Sequence, residues 1–335
     1  MFFSIVIPLY NRPDEIKELL ATLVQQTYMS FEVIIVEDGS SKPAEHIVHS
    51  YADKLNIHYY KKQNEGQGFA RNYGFERAKG DFFIVFDSDI LVPNTYLEIV
   101  KQELEQNCLD AFGGPDAAHK SFTNIQKAIS YSMTSPFTTG GIRGNKKHVG
   151  QFHPRSFNMG ISRKVWENIG GYKLSRRSED IEFSIRMINS GYKVGLIADA
   201  FVYHKRRTSF PQFYKQTNAF GKGRIDISIL YPSELKLVHA LPAIFTLGVI
   251  SLIVLNIINY SIFTNFVPLQ ILVYLGNVFL VVYTALLLIH AIFNTKSVLV
   301  AFYGVIASYT QLFAYGTGFM TNYVDRFWLK KNTSK

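Results

Sequence analysis

Hydropathy divides this chain unequally. From Leu237 onward it consists of three long apolar stretches, about 237–258, 266–290 and 298–320, whereas the residues before them read as a soluble domain. Each stretch exceeds the roughly 20 residues that a helix needs to cross a bilayer. The chain is therefore expected to end in α-helical membrane segments over 237–324, followed by a basic tail, 325–335. The third stretch is the least apolar, with Ser308, Thr310, Gln311, Thr317 and three glycines.

Residues 1–205 follow another pattern. Short apolar runs (FSIVIPL, FEVIIVEDG, NIHYYKK, DFFIVFDSD) alternate with helical spacing in PDEIKELLATLVQQ, in 44–55 and in GFARNYGFERAKG. Near-continuous apolar strands between helices predict an α/β domain, a parallel sheet covered on both faces. Such sheets bind ligands at the carboxyl ends of their strands. Here those ends carry Tyr10-Asn11, Glu37-Asp38-Gly39-Ser40 and Asp87-Ser88-Asp89.

Asp and Ser commonly end strands and open turns, because their side chains bond nearby backbone. A hard cation is the sharper reading of Asp87 and Asp89. Mg²⁺ or Mn²⁺ takes oxygen ligands, often one or two carboxylates with phosphate oxygens filling the rest. Residues i and i+2 of an extended segment face the same way. Three polar clusters on one edge favour the cation. Farther along, SEDIEFSIRMINSGYKV predicts a helix with Ser178 as N-cap and acids in its first turn, where they suit the helix dipole. A carboxylate there also fits a general base that accepts a hydroxyl proton.

SIVIPLYNR, VEDGSS, GFARNYGFERAKGDFFIVFDSDI, GISRKVWENIGGY and SEDIEFSIRMINSGYKV occur in that order. Together they resemble the family 2 inverting glycosyltransferases, whose GT-A nucleotide-diphosphosugar fold is built on a Rossmann-like sheet. The resemblance covers roughly residues 2–205. It implies that Tyr10 lies against the nucleotide base, that Asp38 bonds the base edge and that Arg71 approaches the nucleotide side of the donor. Pro8, Asn11 and Ser88 join this nucleotide-sugar set. Asp87 and Asp89 become a D-x-D element holding Mg²⁺ or Mn²⁺ on the diphosphate, and Asp180 the catalytic base. His204, in VYHKRR, matches a position where some members carry a further metal or phosphate contact. Arg206, Arg207, Gln216 and Arg224 are expected to close over the diphosphate. Glu37 stands where the family often has Asp and keeps the carboxylate. The implied mechanism is one displacement with inversion, so no second carboxylate is needed as nucleophile.

The net charge is +9. From Arg143 to Arg177 there are nine Lys or Arg against one acid, Glu167; from Phe201 to Lys236 there are seven against two, interleaved with aromatics. No nucleic-acid recognition motif accompanies them. Because they run into the apolar stretches, anionic lipid is the expected partner, at about 1 kcal/mol per residue near the surface, and 206–236 is expected to be an interfacial segment. The single cysteine, Cys108, cannot form an internal disulfide, which fits a reducing compartment. The first residues lack a basic n-region and their apolar run is cut at Asn11-Arg12-Pro13, so they read as a strand rather than a signal peptide.

The expected function is that of a membrane-anchored glycosyltransferase with its catalytic domain on the cytoplasmic side. It would move sugar from a nucleotide-diphosphosugar, UDP-sugar favoured, to a lipid-linked saccharide or surface polysaccharide. Three spans are expected, although the tail cations Arg326, Lys330, Lys331 and Lys335 favour the inside; two spans plus a re-entrant or interfacial segment is the alternative. Transfer to polyprenyl phosphate is the neighbouring function. A non-catalytic scaffold or transport component fits poorly with intact acids and with apolar stretches that contain none. A nucleotidyltransferase would need a glycine-rich activating loop that IPLYNRPDE lacks.

Overall fold

The computed structural model describes residues 1–119, 121–139, 152–261 and 266–331. Arg143, Lys146, Lys147 and Lys335 fall outside that range. The chain forms two compact units: Met1–Lys120 with Gly144–Lys205, and Ser121–Arg143 with Arg206–Lys335.

Among the described residues the first unit contains ten strands: β1 (Phe3–Leu9), β2 (Phe31–Asp38), β3 (Ile57–Lys62), β4 (Phe82–Phe86), β5 (Ile90–Leu91), β6 (Ala111–Gly113), β7 (Asp116–Ala117), β8 (Asn158–Ser162), β9 (Val194–Leu196) and β10 (Val202–His204). Seven form one sheet in the order β3-β2-β1-β4-β8-β6-β9, and three form a second in the order β5-β10-β7. β1 to β4 are parallel, as their apolar runs imply. The far half differs: β8 runs antiparallel to both β4 and β6, so the sheet is mixed. β6 and β9, at three residues each, are too short to carry a period of their own.

Strand parity explains the two-sided core. Ile5, Ile7, Leu9, Val33, Ile35, Ile84 and Phe86 face one layer, with Ile16, Leu19, Leu20 and Leu23 of the helix Pro13–Leu23. Val6, Ile34, Val36, Phe83 and Val85 face the other, with Ala70 and Phe75 of the helix Gln67–Phe75 and Phe183 of the helix Glu179–Asn189. Alternate residues of a strand point to opposite faces, so an unbroken apolar run serves both layers. The helix expected over 44–55 shortens to Glu45–His49 and continues as turns, with Lys54 and Leu55 amides bonding Tyr51 O.

In the second unit, the helix Phe210–Leu230 packs on Val298–Tyr323, the third of three helices among the described residues that are long and apolar enough to cross a membrane. The others are Leu241–Ser261 and Val267–Thr295. Of the third helix's apolar window 39% is buried, against 11% for each of the others. Its glycines therefore serve contact between helices. A Cβ on Gly318 would lie 2.1 Å from Asn218 O, and one on Gly221 2.2 Å from Tyr315 O. Small residues allow such close backbone approach.

In the sheet, Gly160 stands opposite Phe112 in register, and a Cβ there would lie 1.9 Å from the ring. Gly160→Val is expected to cost about 1–3 kcal/mol through overpacking, read as a lower thermal midpoint of the purified protein. An unchanged midpoint would mean the ring moves aside freely.

Candidate active site

The strand order reverses between β1 and β4, where an open α/β sheet places its ligand crevice. β1 pairs with β2 through Leu9 but with β4 only through Val6, so the sheet opens at this point. Pro8 lies in the stretch that pairs with β2 but no longer with β4, half-buried, and Tyr10 is exposed just beyond it. Asn11 has φ 54°, which Asn tolerates better than most residues. Its amide donates to Ser40 Oγ at 2.8 Å, and its side-chain oxygen accepts from the Lys42 amide at 3.0 Å. These bonds join the ends of β1 and β2.

The acids ending β2 are turned inward. Asp38 accepts from the amides of Gly66 (2.8 Å) and Glu65 (3.0 Å) and from Lys62 Nζ (3.2 Å). It thereby shapes the loop entering the helix Gln67–Phe75. Glu37 accepts from Ser40 Oγ, from the Ala44 amide at 3.0 Å and from Tyr59 Oη at 2.9 Å.

The Asp87–Asp89 segment is a turn, not the extended strand that same-facing residues would require. The two carboxylates nevertheless converge, and β10 adds a third group. Antiparallel pairing sets His204 opposite Ile90, with His204 Nε2 3.1 Å from Asp89 Oδ1. Ligand atoms of Asp87, Asp89 and His204 lie within 4.8 Å of one another. Two carboxylates and an imidazole suit Mn²⁺ or Mg²⁺ and leave positions for phosphate oxygens. Asp116 Oδ2 is 3.9 Å from the other His204 nitrogen, and the ring stacks on Phe157. Ser88, within the turn, is buried.

Each aspartate also has an arginine. Arg12 Nη1 bonds Asp89 Oδ2. Arg71 Nη2 bonds Asp87 Oδ1 at 2.8 Å, while its Nη1 bonds Glu179 Oε1 at 3.0 Å. Arg71 is 1% exposed and lies over the Tyr172 ring. One guanidinium thus connects the metal-type turn to the first residue of the helix Glu179–Asn189. Ser178 occupies the N-cap position, but with φ 60° it makes no side-chain cap bond. The first-turn acids separate: Glu179 is buried against Arg71 and Gln67, whereas the Asp180 side chain is 19% exposed, with Oδ2 3.6 Å from Arg155 Nη1.

Residues 4–170 match the Glycosyl transferase family 2 domain. The chain carries a family 2 glycosyltransferase domain. A glycosyltransferase of Haloferax volcanii, AglE, is 26% identical over 257 residues, covering 72% of this chain and 78% of that protein. An uncharacterized glycosyltransferase of Rickettsia bellii is 33% identical over 142 residues, but the match spans only 42% of this chain and 19% of that protein. The fold matches that of a mannosyltransferase from Pyrobaculum calidifontis solved with GDP-Man and Mn²⁺. Its TM-score is 0.62 at 16% identity, over 98% of this chain and 88% of that one.

The sequence-expected residues fall in different places. Pro8, Tyr10, Asn11, Asp38, Arg71, Asp87, Ser88, Asp89, Asp180 and His204 belong to the first unit. Arg206 and Arg207 belong to the second, where Arg206 is buried and its carbonyl accepts from Gln126 Nε2 at 2.9 Å. Sequence reasoning missed Arg12, Glu179, Arg155 and Asp116 as parts of the site. Arg12 had a local signal in its place just after the first strand, and Glu179 in the acidic start of the helix that carries Asp180.

Burial, and secondarily the neighbouring Asp180 charge, pushes the Glu179 carboxyl up to about 7, against the pull of Arg71. An acid whose folded pKa exceeds its unfolded one holds its proton more tightly in the fold. That contribution is full at low pH and is lost as pH rises from the usual carboxylate range through 7. Glu179→Gln is therefore expected to flatten the profile of thermal midpoint against pH between about 5 and 8. A variant whose profile still falls as steeply as the parent's would assign the slope to another group.

Proposed function

We propose that this protein transfers a sugar from a nucleotide-diphosphosugar to a hydroxyl of a lipid-linked saccharide or surface polysaccharide, with inversion, at the cytoplasmic face of a membrane. The observation that carries this reading is the buried Arg71 bridge. It couples Asp87, beside Asp89 and His204, to the helix start that presents Asp180. Asp87, Asp89 and His204 would hold Mg²⁺ or Mn²⁺ beside the donor diphosphate. Such an ion stabilises the negative charge that grows on the leaving diphosphate.

Asp180 accepts the acceptor hydroxyl's proton as that oxygen attacks. Its partial exposure leaves it open to a substrate, while Glu179, turned toward Arg71, is not. Tyr10 supplies a face for the base, with Pro8, Asn11 and Ser88 at the same crevice. Asp38 reaches the base edge only by sharing its oxygens with the 65–66 amides. Arg71 acts on the donor through Asp87. Uridine is the favoured nucleotide. Guanosine, found with the Pyrobaculum enzyme, is the second candidate. The three apolar helices and the basic segment 206–236 support an acceptor held at a lipid surface.

Transfer to a polyprenyl phosphate is the competing reading, and Asp180 discriminates between them. A phosphate acceptor is already ionised, whereas a hydroxyl gains about 10²- to 10⁴-fold from a positioned base. Asp180→Asn is expected to leave donor affinity unchanged and to slow transfer at least about 10²-fold, near 2.7 kcal/mol in the barrier. Nucleotide binding and turnover on one preparation, screened across UDP- and GDP-sugars, provide the check. Transfer at the parent rate would exclude Asp180 as base and favour the phosphate acceptor.

A further inference from the structure

The arginines beside the metal-type aspartates differ in their freedom to move. Arg71 is 1% exposed, fixed at both ends by Asp87 and Glu179, and covered by Tyr172. It cannot leave without stranding a buried charge. The Arg12 side chain is 31% exposed and lies in the loop between β1 and the helix Pro13–Leu23, next to the positive-φ residue Asn11. Its guanidinium bonds Asp89 Oδ2, while His204 Nε2 lies at 3.1 Å from Asp89 Oδ1. Both oxygens of this metal-type carboxylate thus face a side-chain nitrogen, one from Arg12 and one from His204.

We propose that Arg12 is a resident counter-cation for Asp89, which exchanges its carboxylate for the donor's diphosphate when a divalent ion is loaded. The inference rests on the metal role of Asp87 and Asp89 proposed above. With Arg12 in place, a bare divalent ion must displace a unit positive charge to reach Asp89, so it binds weakly alone. When it arrives with a nucleoside diphosphate, the released guanidinium gains a phosphate partner of suitable geometry. One ion pair is traded for another, and metal and nucleotide become mutually dependent ligands. The device would keep the crevice electrostatically matched when empty and resist capture of a metal ion without donor. Arg12 is then a residue that sets the order of loading.

The test is Mn²⁺ binding, followed by electron paramagnetic resonance on the full chain in detergent, with and without UDP or GDP. For the parent, the diphosphate is expected to tighten Mn²⁺ strongly. Arg12→Gln removes the charge and is expected to bind Mn²⁺ alone at least about tenfold more tightly, while losing most of the tightening by diphosphate. A purely structural role for Arg12 would weaken or leave unchanged the affinity for bare metal. Arg12→Lys keeps a cation and should fall between the two; it serves where the glutamine variant does not fold, with circular dichroism as the control. A folded variant of either kind whose affinity for bare Mn²⁺ equals or falls below the parent's overturns the proposal. Failure of the parent to bind Mn²⁺ even with diphosphate overturns instead the metal reading on which it rests.

Discussion

A charged guanidinium buried inside the first unit sets the geometry of the site. Arg71 reaches Asp87 with one nitrogen and Glu179 with another, and Tyr172 covers its face. Desolvating an arginine is costly, and removal of one partner from a buried pair is typically more damaging than never having the pair. The network therefore holds together or fails together. Its members come from the helix Gln67–Phe75, the end of β4 and the start of the helix Glu179–Asn189. Gln67 adds a 2.6 Å bond to Glu179 from the first turn of the same helix as Arg71. The position of Asp180 follows from its neighbour: once Glu179 is committed inward, the next residue is turned about 100° around the helix.

The apolar runs made β1 to β4 legible, because a strand buried on both faces leaves a long continuous signal. They also made legible the edge where Tyr10, Asn11, Asp87 and Asp89 lie. Less could be read beyond β4. β6, β8 and β9 are short, and β8 reverses direction. The site's electrostatics were the least legible part. Arg71 and Glu179 are 108 positions apart, and Arg12 and Asp89 are 77 apart. Nothing local to an arginine tells which carboxylate will receive it. The same limit explains Glu37: its carboxylate serves Ser40, Ala44 and Tyr59, and only the fold brings Tyr59 near.

The apolar helices show how composition can mislead about burial. The third stretch, with the most polar residues and glycines, is the one most enclosed by its neighbours. Helices in lipid gain little from apolar matching, so close packing and side-chain hydrogen bonds hold them together. Gly318 and Gly221 supply the approach. Asn218 bonds Ala314 O at 3.1 Å, and Asn322 reaches both Lys222 O and Asp226. Arg326, counted in the sequence as a tail cation, bonds Asp226 at 2.8 Å. The end of the third helix is thereby tied to the basic and aromatic helix Phe210–Leu230, and that helix is held by partners as well as by any lipid surface.

Burial sorts the acids of the crevice by task. Glu37, Asp38 and Glu179 are almost wholly enclosed, and protein donors take up their oxygens. Groups in that state organise loops and helix ends, since a buried carboxylate needs its bonds made internally. Asp87 and Asp180 keep side-chain exposures of 32% and 19%. Asp89 is nearly enclosed, yet Arg12, its partner at one oxygen, is the more exposed of the two arginines and the less anchored. The acids that can meet a ligand are those whose protein partners are few or able to leave. On that physical ground Asp38 differs from the others: to touch a nucleotide base it must share or release the amides of Glu65 and Gly66, so base recognition and the shape of that loop are one variable.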